Sequence, residues 1–386
     1  MTPAARIAAA IEILDDILLD QPAERVLTSW ARGHRFAGSK DRAAIRDHVF
    51  DALRCRQSFA ALGGGLTGRG LMIGFVRAAG LSPEQLFTGE GYSAAPLSAD
   101  EQEAGGAAHG LEALDCPDWL APQLQASLQD DFAPIMMALR QRAPLFLRVN
   151  LKKGDVASAQ ALLAQAGVPT QAHPLSPTAL EVIDAPRKVA QSDAYLEGMI
   201  EVQDAGSQMI SDHIPVSKGD RVLDYCAGGG GKSLALGGRV DAAFFAHDSD
   251  PARMKDLPAR AARANLVVRI LDGQGVRENA PYDLVLADVP CSGSGAWRRQ
   301  PEAKWGLTPE RLAELCDIQA AILDAAQMLS GRRLAYVTCS ILDAENTAQV
   351  AAFLERHAGW SLESEHKTGP LSGGDGLFLA VFCRSD

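Results

Sequence analysis

From Arg221 to Thr338 the chain repeats one pattern: a short apolar run, a turn, a helical stretch, then another apolar run. The runs lie at residues 222–224, 243–247, 267–271, 284–287 and 334–338. Strands that are apolar on both faces need cover on both faces, and helices between successive strands supply it. The expected fold class is therefore α/β, a doubly wound, mainly parallel sheet of Rossmann-like type. Open sheets of this kind bind ligands beyond the carboxyl ends of their strands. The residues that follow each apolar run are thus the first candidates for chemistry.

Five strand ends carry distinctive residues. The first reads Val222-Leu223-Asp224-Tyr225-Cys226-Ala227-Gly228-Gly229-Gly230-Gly231-Lys232. A strand runs into a glycine-rich turn and then a helix, so backbone amides can approach a ligand closely. Gly231-Lys232-Ser233 resembles the end of a phosphate-binding P-loop, but that motif needs a glycine where Cys226 stands. Alone, the loop indicates a nucleotide-like ligand or a tight structural turn. Asp248 ends the next run, about 20 residues on, where an acid can accept hydrogen bonds from the two ribose hydroxyls of an adenosine. Asp250 is its neighbouring rival, and a plain helix cap is the other reading. Asp272 follows the third run and could hold an adenine amino group or simply make a turn. The fourth run delivers Asp288-Val289-Pro290-Cys291-Ser292-Gly293. Enzymes that methylate exocyclic amines place an aromatic residue after the proline, so Cys291 argues against that reaction. The fifth ends in Thr338-Cys339-Ser340. One cysteine at a strand end is ordinary core; two on the same sheet are a candidate pair.

A chain of 386 residues is long for one domain. With 47% hydrophobic and 22% charged residues it can bury substantial cores. No apolar run approaches the ~20 residues of a membrane span. Arg6 is followed by a helical pattern broken by Glu12, Asp15 and Asp16, unlike a secretory signal, so a cytoplasmic protein without membrane contact is expected. The seven cysteines are dispersed and odd in number, which argues against a disulfide framework. None has zinc-site spacing, so no metal is expected. The net charge of −11 weighs against a generic nucleic-acid binder. Residues 25–56, however, hold eight basic residues (Arg25, Arg32, Arg35, Lys40, Arg42, Arg46, Arg54, Arg56) against three acids, a patch a polyanion could use. Ile7, Ile11, Leu14 and Leu18 predict a helix over 4–20, further helices follow, and residues 61–70 read as a glycine-rich break. Residues 89–110 read as loop. Residues 146–150 and 178–183 read as strands, with a helix over 155–165 between them. The expected domains are a helical one over 1–130, a small α+β one of ferredoxin-like or RRM-like type over 140–205, and the doubly wound one over 206–386.

Together, Cys226-Ala227, Gly230-Gly231-Lys232, Asp288-Val289-Pro290-Cys291-Ser292-Gly293 and Thr338-Cys339-Ser340 resemble the Sun/RsmB-type RNA (cytosine-5)-methyltransferases. Arg298-Arg299-Gln300-Pro301-Glu302-Ala303-Lys304-Trp305 and Asp343-Ala344-Glu345-Asn346 resemble two further stretches of that family. The resemblance implies S-adenosylmethionine as cofactor, held by Cys226, Ala227, Gly228, Gly229, Gly230, Gly231, Lys232, Asp248, Asp272 and Asp288. It implies a catalytic set of Cys339 as nucleophile on carbon 6 of cytosine, Asp288 at ring nitrogen 3, and Cys291 assisting release. The opposite assignment, with Cys291 attacking, is the pattern of DNA cytosine methyltransferases. A base handled this way must leave its stack, and Arg298, Arg299 and Lys304 are expected near its phosphates. The small α+β segment looks like the family's RNA-binding subdomain, and the helical start looks like the NusB-like RNA-binding domain of bacterial members. The implied partner is RNA, with ribosomal RNA of the small subunit favoured over transfer RNA. Gly228-Gly229 departs from the family's usual Ala-Pro. The missing proline leaves the free loop more conformational freedom, worth on the order of 1 kcal/mol. That departure is the one feature favouring a non-catalytic RNA-binding or ribosome-assembly factor on the same fold. An NAD-dependent dehydrogenase would leave both cysteines and the Asp-x-Pro-Cys turn without a purpose.

Overall fold

Thr2 starts the first helix, Pro3–Leu18: its hydroxyl accepts the Ala5 N–H at 3.2 Å, and Pro3 fills the first turn, where its missing N–H has no partner to lose. The buried stripe is Ile7, Ala10, Ile13, Leu14 and Ile17, with Ile11 and Leu18 only half-buried at its edge. The structure is a computed structural model describing residues 1–385. They form two units: Met1–Arg142 together with Trp297–Leu307, and Ala143–Ala296 together with the chain from Thr308 onward.

The first unit is helical. Helices Ala23–Gly33, Ser39–Arg54, Arg56–Gly63 and Gly68–Ala78 join the first around one core that includes Ile45, Val49, Leu53, Leu71, Met72 and Val76. The stretch expected as a glycine-rich break is a sharply bent helix pair, at 89°. Its glycines serve close approach: a Cβ at Gly74 would lie 1.9 Å from the Phe59 carbonyl oxygen. The loop expected over 89–110 contains a short helix, Ala99–Glu103, closed by a reciprocal cap between Ser98 and Glu101. The late segment Trp297–Leu307 packs within this unit: Trp305 Nε1 donates to Leu53 O (2.7 Å) and Lys304 Nζ to Arg54 O (3.2 Å). Among the described residues, no single helix is long and apolar enough to cross a membrane.

The second unit holds two sheets. Strands β1 (Phe146–Val149), β2 (Thr170–Ala172), β3 (Ala179–Val182) and β4 (Ile200–Val202) form an antiparallel sheet of order β2-β3-β1-β4. Leu147, Val149, Leu180 and Ile200 pack it on Ala159 and Leu163 of helix Val156–Gln165, so this is a ferredoxin-like α+β arrangement. The larger sheet contains β5 (Arg221–Asp224), β6 (Ala243–Ala246), β7 (Val268–Ile270), β8 (Tyr282–Asp288), β9 (Ser330–Thr338), β10 (Trp360–Thr368) and β11 (Leu377–Arg384). Its order is β10-β11-β9-β8-β5-β6-β7. The first five of these strands pair in parallel; β11 and β10 add an antiparallel edge.

Alternate residues of each strand enter opposite cores. Leu223, Phe245, Val285, Ala287, Leu334 and Tyr336 pack on one face with Leu323, Ala326 and Phe353. Val222, Phe244, Leu284, Leu286, Ala335 and Val337 pack on the other with Ile210, Ile214 and Leu236. This is the doubly wound, mainly parallel sheet expected from the apolar runs. The order reverses between β5 and β8, the point where such sheets open a crevice at their carboxyl ends.

Candidate functional site

The crevice at the β5/β8 reversal gathers most of the residues singled out by sequence. After β5, Ala227 N–H donates to His247 O (2.9 Å) and Gly228 N–H to Asp248 Oδ2 (2.9 Å), pinning the glycine turn to the end of β6. Gly228 (φ +50°) and Gly230 (φ +76°) occupy the left-handed region, which disfavours any side chain. A Cβ on Gly230 would also come within 2.2 Å of Leu257 Cδ1. Arg260 Nη1 donates to the Gly229 carbonyl, a tether that sequence reading did not find. It restrains the turn where the proline is missing. A second unforeseen support is Arg148 of β1, buried and held by Gln203 and by the Gly231 carbonyl at 3.0 Å. Burial brings its guanidinium down to about 10.

The acids are placed differently from one another. Asp248 is 4% exposed and its oxygens already receive Gly228 N–H, Asp250 N–H and the Arg253 guanidinium. Asp272 is exposed and caps helix Gly273–Glu278 by accepting the Gly275 N–H at 2.8 Å. Asp288, at the end of β8, pairs through Oδ2 with Lys232 Nζ at 2.5 Å and keeps 36% of its side chain exposed. Lys232 is buried. Burial opposes its charge, yet Asp288 and the neighbouring groups outweigh that and hold the ammonium above its ordinary range. Asp224 was passed over by sequence reading. Ser233 donates to its Oδ2 at 2.7 Å, while Oδ1 is buried with no hydrogen-bond partner. Burial, against that bond, pushes Asp224 up to about 7. Burial likewise pushes the Cys226 thiol up to about 12, so it stays protonated.

These features test the fit of a cofactor. A left-handed glycine turn, an unsatisfied buried carboxylate oxygen and two further acids at adjacent strand ends suit a cationic adenosine cofactor. They suit a polyphosphate poorly, because carboxylates repel it. The donor set therefore fits S-adenosylmethionine.

Beside the acids stand two thiols. Cys291 follows β8 and Cys339 follows β9, and register pairing of Asp288 with Val337 brings these strand ends level. The sulfurs are 3.3 Å apart, and the Cys339 N–H points at Cys291 Sγ, also at 3.3 Å. Both residues are half-buried. The Cys291 thiol hydrogen-bonds to Cys339, which lowers Cys339 below the ordinary thiol range; Lys232 acts in the same direction. Cys291 is raised well above it, chiefly by that same bond and by burial. Within the pair the thiolate form is thus favoured at Cys339 over Cys291. The loops behind them converge on Glu345, fully buried, another residue whose place at the centre sequence spacing did not reveal.

Other expected contacts lie elsewhere. Lys304 and Arg298, expected near phosphates, are 1% and 4% exposed and packed inside the helical unit, so they do not present an open phosphate surface. Burial brings Lys304 down to about 8. Within the basic cluster Arg54 is buried beside Asp51, and Arg46 is paired with Glu24. Arg32, Arg35 and Arg42 are exposed, carry no ion pair among the described residues, and line a cleft of about 540 Å³ with Trp30.

Comparisons with known proteins agree with this architecture. The family described as 16S rRNA methyltransferase RsmB/F matches residues 213–376, and its RsmF/B-like ferredoxin-like domain matches residues 116–190. The ribosomal RNA small subunit methyltransferase B of Vibrio cholerae is 36% identical over 248 residues, covering 62% of this chain and 57% of that protein. The protein of the same description from Serratia proteamaculans is 33% identical over 287 residues, covering 69% of this chain and 66% of its own length. The chain thus spans less than two thirds of these curated relatives. In fold, the crystal structure of PH0851 aligns over 99% of both chains with a TM-score of 0.78 at 23% identity. The family models and the curated relatives agree: the chain belongs to the Sun/RsmB-type methyltransferase family.

Proposed function

We propose that this protein transfers a methyl group from S-adenosylmethionine to carbon 5 of a cytosine in RNA, through a covalent bond between Cys339 and carbon 6. The observation that carries the reading is the pair of sulfurs 3.3 Å apart beside the Lys232–Asp288 ion pair. Carbon 5 of cytosine is a poor nucleophile until a thiolate adds to carbon 6 and makes the ring an enamine. Cys339, lowered by the Cys291 hydrogen bond and by Lys232, supplies that thiolate. A proton carried by the Asp288 carboxyl group is given to ring nitrogen 3 as charge develops there, and Lys232 holds that carboxyl group in place. S-adenosylmethionine, when bound at the glycine turn and acids, supplies the electrophilic methyl group. After transfer, water takes the carbon 5 proton, the bond between carbon 6 and the Cys339 sulfur breaks, the proton on ring nitrogen 3 returns to Asp288, and Cys291, which keeps its proton, donates a hydrogen bond to the departing thiolate.

The relatives' names support an RNA of the small ribosomal subunit as substrate, and on this reading the protein acts in the cytoplasm. Arg32, Arg35 and Arg42 of the helical unit would hold RNA phosphates. Cys339→Ala should abolish methyl transfer and leave S-adenosylmethionine binding, measured by calorimetry, within about twofold of the parent. A fully active variant would overturn the mechanism. Bisulfite sequencing of total RNA from cells with and without the protein identifies the target. Loss of one site in small-subunit ribosomal RNA is expected, and loss confined to transfer RNA would replace the proposed substrate.

A further inference from the structure

We infer that Glu345 is the positioning residue of the two-thiol centre, fixing Cys291 and Cys339 at working distance without touching the substrate. This rests on the cysteine chemistry proposed above. Glu345 is 0% exposed and follows β9 by seven residues, yet its carboxylate reaches both cysteine loops. Oε1 accepts the backbone N–H of Ser292, next to Cys291, at 2.7 Å, and Gln319 Nε2 at 3.0 Å. Oε2 accepts the hydroxyls of Ser292 and of Ser340, next to Cys339. Gln319 also donates to Pro290 O at 3.0 Å, on the other side of Cys291. The Glu345 carbonyl in turn receives the Tyr336 hydroxyl at 2.6 Å, which ties the clamp to β9.

A buried carboxylate is retained only where its hydrogen bonds repay the loss of water. Here each of these hydrogen bonds to its oxygens ends on a residue adjoining a proposed catalytic sulfur or on the Gln319 that braces Pro290. Serine hydroxyls turn freely, but the Ser292 N–H does not, so Oε1 sets the path of the chain entering and leaving Cys291. Both sulfurs therefore keep their separation because one rigid group holds the residue after each of them. A misplacement of about 1 Å in such a site can lower a rate by about 10²-fold.

Glu345→Ala should lower kcat by about 10²-fold, with the RNA KM and the S-adenosylmethionine dissociation constant changed by less than about threefold. Glu345→Gln keeps an oxygen at the Oε1 position, and the serine hydroxyls can turn to accept its amide, so it should recover kcat to within about tenfold of the parent. If Glu345→Ala does not fold, Ser292→Ala with Ser340→Ala, which empties Oε2 and spares the bonds to Oε1, carries the test, with an expected fall in kcat of about tenfold. A kcat unchanged in Glu345→Ala or in the serine pair overturns the inference. A loss matched by equal weakening of cofactor binding and not recovered by glutamine overturns it too, because it marks general structural damage. Cys339→Ala separates the two levels: if that variant is active, the chemistry itself is wrong. If it is inactive while Glu345→Ala turns over normally, the clamp alone is wrong.

Discussion

Replacing Lys232 by Met removes one charge at nearly constant volume from the junction of the cofactor loop and the thiol pair. The lysine is buried and its ammonium lies 2.5 Å from Asp288 Oδ2. A hydrogen bond between charged groups contributes roughly 1.5–3 kcal/mol, and breaking a fully buried pair costs more. Asp288 keeps 36% of its side chain in water, so solvent replaces part of the lost contact. The methionine also escapes the desolvation that an ammonium suffers at this position. The net destabilisation should be about 1–2 kcal/mol, read as a shift in the urea unfolding midpoint. The catalytic effect has a separate sign. Lys232 lowers Cys339, so its removal raises the thiol, a nearby-charge effect. Below that thiol's value, less thiolate is then available at a given pH. Single-turnover methyl transfer from pH 6.5 to 9.5, with cofactor and RNA saturating, should give a lower rate near neutrality. The rising limb should move to higher pH and approach the parent rate at the alkaline end. A pH–rate profile that superimposes on the parent would refute the assignment of Cys339 as the attacking thiolate tuned by Lys232.

Asp224→Asn should separate stability from binding. The buried carboxyl is raised to about 7, so the native state holds its proton more tightly than the unfolded chain, and its contribution is lost as pH rises from about 4 through 7. The variant should therefore raise the urea midpoint above pH 7 yet bind S-adenosylmethionine more weakly; a midpoint no higher than the parent's at pH 8 contradicts this. Lys304, lowered to about 8 by burial, is protonated in the unfolded chain at pH values where the folded one has released its proton. Stability should rise as pH increases from about 8 to 9, above which Cys116, raised to about 11, opposes it. Lys304→Met should flatten that rise, and an unchanged slope would count against the burial effect. Changing Arg32, Arg35 and Arg42 to Gln should reduce the salt dependence of RNA binding by a slope of about 2, as for three phosphate contacts to a single strand. An unchanged slope would mean that the cleft with Trp30 faces away from RNA.

The sheet was legible because its strands are apolar on both faces. All five runs from Val222 to Thr338 became strands of the parallel section, and the residues following β5, β6, β8 and β9 are joined by hydrogen bonds and an ion pair, while Asp272 after β7 caps its own helix. Strand β10 escaped notice for the opposite reason: Trp360–Thr368 is an edge, mostly exposed and rich in charge, so it lacks the apolar signal. Lys304 and Arg298 show what charge alone cannot tell. Both look like phosphate contacts in sequence, but their carbon chains pack within the helical unit and Lys304 ends on a backbone carbonyl. The glycines before Leu71 read as a break because sequence shows their flexibility and not their neighbours; in space they let two helices touch. Glu345 was visible as part of a motif, but its role depends on Ser292 and Gln319, which are 53 and 26 residues away. No local periodicity encodes such a convergence.

The covalent intermediate offers the most direct test. Cys291→Ala removes the sulfur proposed to assist release while leaving Cys339 to attack. Incubated with S-adenosylmethionine and substrate RNA, then denatured and digested, it should yield a peptide bearing a methylated cytidine on Cys339, identified by mass spectrometry. An adduct mapped to another residue would contradict the account, as would a Cys291→Ala enzyme that forms no adduct and turns over at the parent rate.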